Sequence, residues 1–263
     1  MALAKKRKSI PKFTKTELDA ADLCAKACWY GINYTNIKPC VSDAELLLHF
    51  ASHFYNYHST KKQPHPNTFL ADVNTLIKAC GIKMLYRGIA EMDFRKGVSA
   101  IFTDVYPQYL LVLKKPNQVS SFEDAVLCLE KISKGFVKNP INNRLSLASR
   151  ILFFLSPNMQ AFNMNNSIAA HFGLPSRPHV HYREFFELFD KGLKTNQTLL
   201  SKYKIPKQRD ALDYKTWYEI SKTNWWKRRV LDFAVILNAN LGNPIHPLLR
   251  ATLNKKIKEE ASD

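Results

Sequence analysis

Glycine is scarce in this sequence. A chain of 263 residues with only eight glycines lacks the φ > 0 positions that hairpin-rich β architectures use at their turns. Long apolar runs are missing as well. Nothing reaches the ~18 residues of a membrane-spanning helix, and stretches such as Ile151–Leu155 and Phe233–Leu237 are of core-helix length. The start, MALAKKRKSIPKFTK, is basic and polar and does not read as a secretory leader. The five cysteines (24, 28, 40, 80 and 128) form an odd set without tight spacing, which reads as reduced thiols and a cytosolic or nuclear setting. Acidic side chains are also few. There are 22 against 39 Lys and Arg, a formal net charge of +17, and a field of that sign attracts polyanions. Nucleic acid is the partner this predicts. A membrane surface fits less well, because no basic amphipathic helix stands apart from the core pattern.

What is present is helix-forming. Apolar residues make up 46% of the chain, enough to bury a core. Residues 1–13 read as a basic flexible tail with Lys5, Lys6, Arg7 and Lys8 clustered. Thr14-x-x-Glu17 and Ser42-x-x-Glu45 are capping boxes, each followed by an apolar stripe; Asp22 interrupts the first stripe. Asn67 starts a third helix and Gly81 ends it. Residues 101–105 and 109–113 are short apolar runs that fit either strand or buried helix. Ser120-x-x-Glu123 is a further capping box. The expected fold is mainly α and two-lobed, with room for a few short strands. An N-terminal helical lobe spans 14–120, and a second lobe with C-terminal helices spans 121–263.

From Gly135 the sequence runs GFVKNPINNRLSLASRILFFLSPNMQAFNMNNSIAAHFGL. It reads as turn, helix, turn, helix: a compact polar turn at 140–145, a helix over 147–155 that is apolar nearly all round, a stop at Pro157, and a second helix over 167–172. Asn165 or Asn166 caps that second helix, and Gly173 ends it. The segment Gln160-Ala-Phe-Asn-Met-Asn165 and the Leu-x-x-Ala-Ser-Arg run at 145–150 resemble the helix–hairpin–helix DNA glycosylase superfamily, in its 8-oxoguanine-glycosylase-like branch. The resemblance covers about residues 130–175 and recurs more weakly at Trp225–Leu237. It implies a hairpin whose backbone N–H groups hold a DNA phosphate, then a buried helix, then a loop ending in a catalytic Asp that caps the next helix.

This chain departs from that pattern at two places. Asn165 stands where the branch has the catalytic Asp. Arg150, or in another register Ser146, stands where it has a Lys. An arginine stays protonated and is no practical Schiff-base nucleophile, so a lyase step is not expected. The activity implied is monofunctional: flipping and excision of a modified or damaged base from double-stranded DNA, such as a hypermodified base of phage DNA in antiviral defence. Asn165 or another carboxylate would do the chemistry. Asp232 is the alternative carboxylate, although Arg228 and Arg229 beside it equally suggest a helix-surface ion pair. Glu184, Glu187 and Asp190 read as a solvated helix face.

DNA contacts are expected from Lys138, Asn142, Asn143, Arg144, Ser146 and Arg150 around the hairpin, and from Asn163 and Asn166 in the loop. Trp225, Lys227 and Arg228 join them, since rings stack on bases and cations meet phosphate. Trp226 belongs instead to a core stripe with Val230, Phe233 and Leu237. His179 and His181 fit either a pocket or plain surface. No cofactor and no metal are expected, and the protein is read as a monomer in the cytoplasm, nucleoid-associated if bacterial. A competing zinc site would pair Cys24-x3-Cys28 with His49-x3-His53, at a spacing that matches no defensible finger. A catalytically silent DNA-binding module on the same scaffold is the alternative function, favoured by Asn165.

Overall fold

A computed structural model describes residues 9–60, 62, 68, 71–72, 75–76, 143–155, 157, 160–174, 178–207, 214–239 and 247–261. The architecture is mainly α. The helices with described bounds are α1 (Lys15–Trp29), α2 (Asp43–Thr60), α3 (Asn143–Leu155), α4 (Asn166–His171), α5 (Pro178–Leu200), α6 (Tyr214–Ser221), α7 (Trp225–Asn238) and α8 (Pro247–Glu260). Among the described residues the only β pairing is a single antiparallel bridge between Ile32 and Pro39. The candidate strands at 101–105 and 109–113, the capping box at Ser120, and the lobe boundary near 120 lie outside the described residues.

Local chemistry sets the helix ends. Thr14 and Glu17 form a complete capping box: Thr14 N donates to Glu17 Oε2 at 2.7 Å, and Glu17 N donates to Thr14 Oγ1 at 3.3 Å. Ser42 Oγ accepts from Glu45 N at 3.0 Å at the start of α2. α1 ends in a left-handed turn. Gly31 has φ +72°, Ile32 N donates back to Ala27 O at 2.8 Å, and a Cβ on Gly31 would meet Cys40 O at 2.8 Å. That turn sends residues 31–41 back across the end of α1.

α1 lies along α7, and α3 packs on α2; α5 supports both α1 and α7. Helices from both sequence segments share one apolar cluster, from Leu18 and Trp29 through Ile151, Phe185 and Trp225 to Leu253. The polar interruption in α1 is an interior hub. Asp22 is buried, accepting from Trp226 Nε1 at 3.0 Å and pairing with Lys26 at 2.7 Å.

The structure corrects two sequence expectations here. The first concerns the tail. Ile10 and Phe13 are buried at 5% and 2% exposure, so its end is docked; residues 1–8 lie outside the described residues. Asn196 of α5 is the clamp. Its Oδ1 accepts from Phe13 N at 2.8 Å, and its Nδ2 donates to Pro11 O at 3.0 Å and Gly192 O at 2.9 Å. Ile10 rests on Gly192, where a Cβ would fall 2.8 Å from Ile10 Cδ1. Asn196→Ala is expected to cost roughly 2–4 kcal/mol, because buried backbone groups lose their partners. Urea unfolding measures this, and a loss under about 0.5 kcal/mol would show the strap to be surface dressing. The second correction concerns the hairpin. Residues 143–145 belong to the first turn of α3, because Asn143 and Arg144 continue the helical run of 147–155. Only 140–142 remain for a turn, and they lie outside the described residues.

Candidate functional site

Residues 160–165, ahead of α4, are held by contacts from several helices. Ser146 Oγ donates to Met164 O at 2.8 Å, Met164 N donates to Ser149 Oγ at 2.9 Å, and Ser149 Oγ donates to Ser146 O at 2.9 Å. Arg228 of α7 is 2% exposed and donates to Ala161 O at 2.5 Å and Pro157 O at 2.6 Å. Phe162 is buried against Phe186 and Phe189 of α5, with ring centroids 5.2 and 5.4 Å away. These contacts fix the directions of Asn163 and Asn165.

Asn165 caps α4. Its Oδ1 accepts from Ser167 N at 2.9 Å and Ile168 N at 3.3 Å, which leaves only Nδ2 for a ligand. Asn163 is buried, and its Nδ2 donates to Asp232 Oδ2 at 3.3 Å. Asp232 in turn meets Arg229 NH1 at 3.3 Å, and Arg229 forks onto Asp43 at the start of α2 through Nε at 2.7 Å and NH2 at 3.0 Å. Two parallel N–H···O contacts are the strong form of this pair.

These groups open onto one cavity of about 210 Å³, lined among others by Tyr34, Asp43, Arg150, Phe154, Asn163, Asn165, Arg229, Asp232 and Phe233. Burial pushes the Asp232 carboxyl above the ordinary carboxylate range, with Arg229, Asn163 and Arg150 pulling the other way. Burial also works to lower the Arg229 pKa, but the charges of Asp43 and Asp232 outweigh it and keep the guanidinium charged. The Tyr34 hydroxyl is pushed up to about 12, chiefly by burial, and stays a neutral donor. Arg150 is half-buried at the cavity and makes no hydrogen bond or ion pair among the described residues.

The chain matches no protein-family model, and no curated protein or solved structure is similar to it. Any role therefore has to come from the cavity and its chemistry.

Several expected site residues land elsewhere. Trp225 is fully buried. Its Nε1 donates to Phe153 O at 3.0 Å, and its ring packs on Trp29, so it cannot stack on a base. Arg228 spends its guanidinium on loop carbonyls and cannot reach phosphate. Ser146 is committed to Met164. Asp232 is no surface ion pair; at 6% exposure it is interior, with Asn163 and the Asp43-bound Arg229 against it. Lys227 stays at the surface, with Nζ donating to Asn224 Oδ1 at 3.0 Å. Lys138 and Asn142 lie outside the described residues. Asn143, Arg144 and Asn166 are placed by backbone alone, at the starts of α3 and α4, and His179 and His181 likewise on α5.

Sequence reading missed Asp43, Arg229 and Tyr34. Asp43 and Arg229 are 186 residues apart, and their only sequence trace was an acid just inside a capping box and a doubled arginine.

The zinc alternative does not assemble. His49 Nδ1 lies 3.2 Å from Asp72 Oδ1, and His53 bonds the other oxygen of Asp72. Burial raises the Cys24 thiol to about 12 and the Cys28 thiol well above its usual value. Among the described residues, no group of three or more His, Cys, Asp or Glu side chains is placed to hold a metal ion.

Proposed function

We propose that this chain is a DNA-binding, monofunctional N-glycosylase that takes an everted base into the cavity between α2, α3 and α7. One observation carries the reading. A buried carboxylate with a raised pKa, Asp232, shares a cavity with two loop amides and with Arg150, which makes no hydrogen bond or ion pair among the described residues. A cavity of about 210 Å³ is below the roughly 300–1,000 Å³ of drug-sized sites and suits one base with its sugar at the mouth. The strong positive charge favours the DNA strand, and Arg150 offers a cation to a phosphate. Asn165 occupies the helix-cap position at which the family resemblance implies an acid. A carboxamide carries no charge, so the negative charge has to come from a carboxylate at the cavity; both oxygens of Asp43 are taken by Arg229, and this reading assigns the role to Asp232. Ionised Asp232 stabilises an oxocarbenium-like sugar or accepts a proton from the attacking water. No lysine lines the cavity among the described residues, in keeping with hydrolysis without a Schiff base. A modified base, as in phage DNA, is the substrate class this reading takes.

No helix among the described residues is long and apolar enough to cross a membrane. A catalytically silent DNA-binding module remains the second reading, favoured by the committed oxygen of Asn165.

Incubation with duplexes carrying different modified bases, followed by alkali, separates the two. Alkali-labile sites on at least one duplex support the enzyme, and tight binding without them supports the module. With about six phosphate contacts, log Kd should depend on log salt with a slope near 5 in magnitude, and a slope near zero would remove DNA as partner.

The pH dependence has a definite sign. Because burial favours the protonated acid, base release should rise with pH through a midpoint above the usual carboxylate value of about 4. A pH–rate profile that is flat from about pH 4 to pH 7 would take Asp232 out of the chemistry.

A further inference from the structure

Among the described residues, the large apolar side chains left exposed are Tyr214 at 62% and Tyr218 at 45%. A single exposed ring is ordinary, but these two stand together. They lie one turn apart on α6, with ring centroids 6.0 Å apart and planes within 14° of parallel. The pair is held in place. Tyr214 also packs on the Trp217 ring at 5.8 Å, and Trp217 Nε1 donates to Pro206 O at 2.9 Å. That bond ties the 201–207 segment to α6. The Lys222 ammonium lies 3.8 Å from the Tyr218 ring centroid, so this ring already carries a cation on one face.

The surroundings are basic. Lys202, Lys204, Lys207 and Lys215 are exposed and make no ion pair among the described residues. Glu219 is the one carboxylate on α6, and Lys222 holds it at 3.1 Å. Rings that are already ordered give up little freedom to a ligand. Free ammonium groups beside open ring faces suit a partner that repeats a flat base and a phosphate. An apolar protein partner would leave those lysines without counter-charges. We propose that α6 and the 201–207 segment form a platform for an unpaired DNA strand, whose bases stack on Tyr214 and Tyr218 while its phosphates meet the lysines. A duplex does not suit the rings, because its bases are already stacked on one another. None of these residues lines the cavity, so the platform is a second site. Only the choice of DNA over RNA rests on the function proposed above.

The test uses the whole chain and a labelled oligothymidylate of about 12 nucleotides, with binding read by fluorescence anisotropy at low salt. The double variant Tyr214→Ala/Tyr218→Ala is expected to bind roughly tenfold to a hundredfold more weakly. Tyr214→Phe/Tyr218→Phe should bind as the wild type does, since stacking needs the ring and not the hydroxyl. If the alanine pair melts early, Tyr214→Ala alone, at the more exposed position, should still lose at least about threefold. An oligomer of abasic sites keeps the phosphates but not the bases, and should bind the wild type and the alanine pair alike. An alanine pair that binds the oligothymidylate as tightly as the wild type overturns the platform, and so does an equal loss on the abasic oligomer or on a duplex. No binding by the wild type also overturns it and leaves this face to a protein partner. Oligouridylate bound roughly tenfold tighter than oligothymidylate would overturn the assignment to DNA. Ring-dependent strand binding without base release from any DNA would instead sink the glycosylase reading and leave the platform standing.

Discussion

An Asp232→Asn protein is expected to lose roughly a hundredfold to ten-thousandfold in base release, the range for removing one positioned acid–base group. The fold should hold. The amide is isosteric, Arg229 keeps both of its contacts to Asp43, and Asn163 keeps an oxygen to donate to. The sign of the stability change follows from the raised pKa. The folded state holds the Asp232 proton more tightly than the unfolded chain does. Ionisation therefore opposes folding as pH rises from the unfolded value of about 4 towards the folded one. A neutral amide carries no such penalty, so the melting temperature at neutral pH should stay level or rise. Single-turnover excision beside a thermal melt checks both halves. Full activity in the variant would eliminate Asp232 as the working carboxylate, and a collapse of the melt would make it a structural residue.

Arg228→Met is expected to have the largest effect on stability, a loss of roughly 3–5 kcal/mol. Methionine fills much of the volume, but Ala161 O and Pro157 O lose their charge-assisted donors in a sealed interior. Unfolding should be measured alongside DNA affinity. A phosphate-binding arginine would show the reverse pattern, with weaker binding, a shallower salt slope and an unchanged midpoint. That reverse pattern would show that Arg228 leaves the loop in solution. If the prediction holds, the positioning of Asn163 and Asn165 depends on an arginine that never meets the ligand.

The behaviour of these two residues shows how far local reading reaches. Thr14 and Glu17 announce a helix start because both halves of the box lie within four residues. Asn165 does so for α4, and Gly173 for its end, with φ +71°. Trp225 and Arg228 read as DNA-facing because a Trp-Trp-Lys-Arg-Arg run is chemically suited to nucleic acid. Their direction, however, depends on what α7 packs against. Trp29 of α1 packs on Trp225, the carbonyls of Pro157 and Ala161 take Arg228, and none of these neighbours is encoded nearby. For Asp232 the surface-pair alternative gave way to an interior position. Local spacing suggested a solvated pair with Arg229, but Asp43, 186 residues away from that arginine, draws the guanidinium inward.

The sequence by itself determined the mainly helical class, the helix starts at Thr14, Ser42 and Asn165, and the strong net positive charge. These depend on composition and on contacts within one helical turn, where the chain's own geometry supplies the partners. Tertiary packing alone decided which charges are interior and that the asparagine loop meets α7 and α2 in one cavity. Those properties belong to groups brought together from distant segments. Burial from water, the quantity that shifts the Asp232 pKa, exists only once the helices have packed.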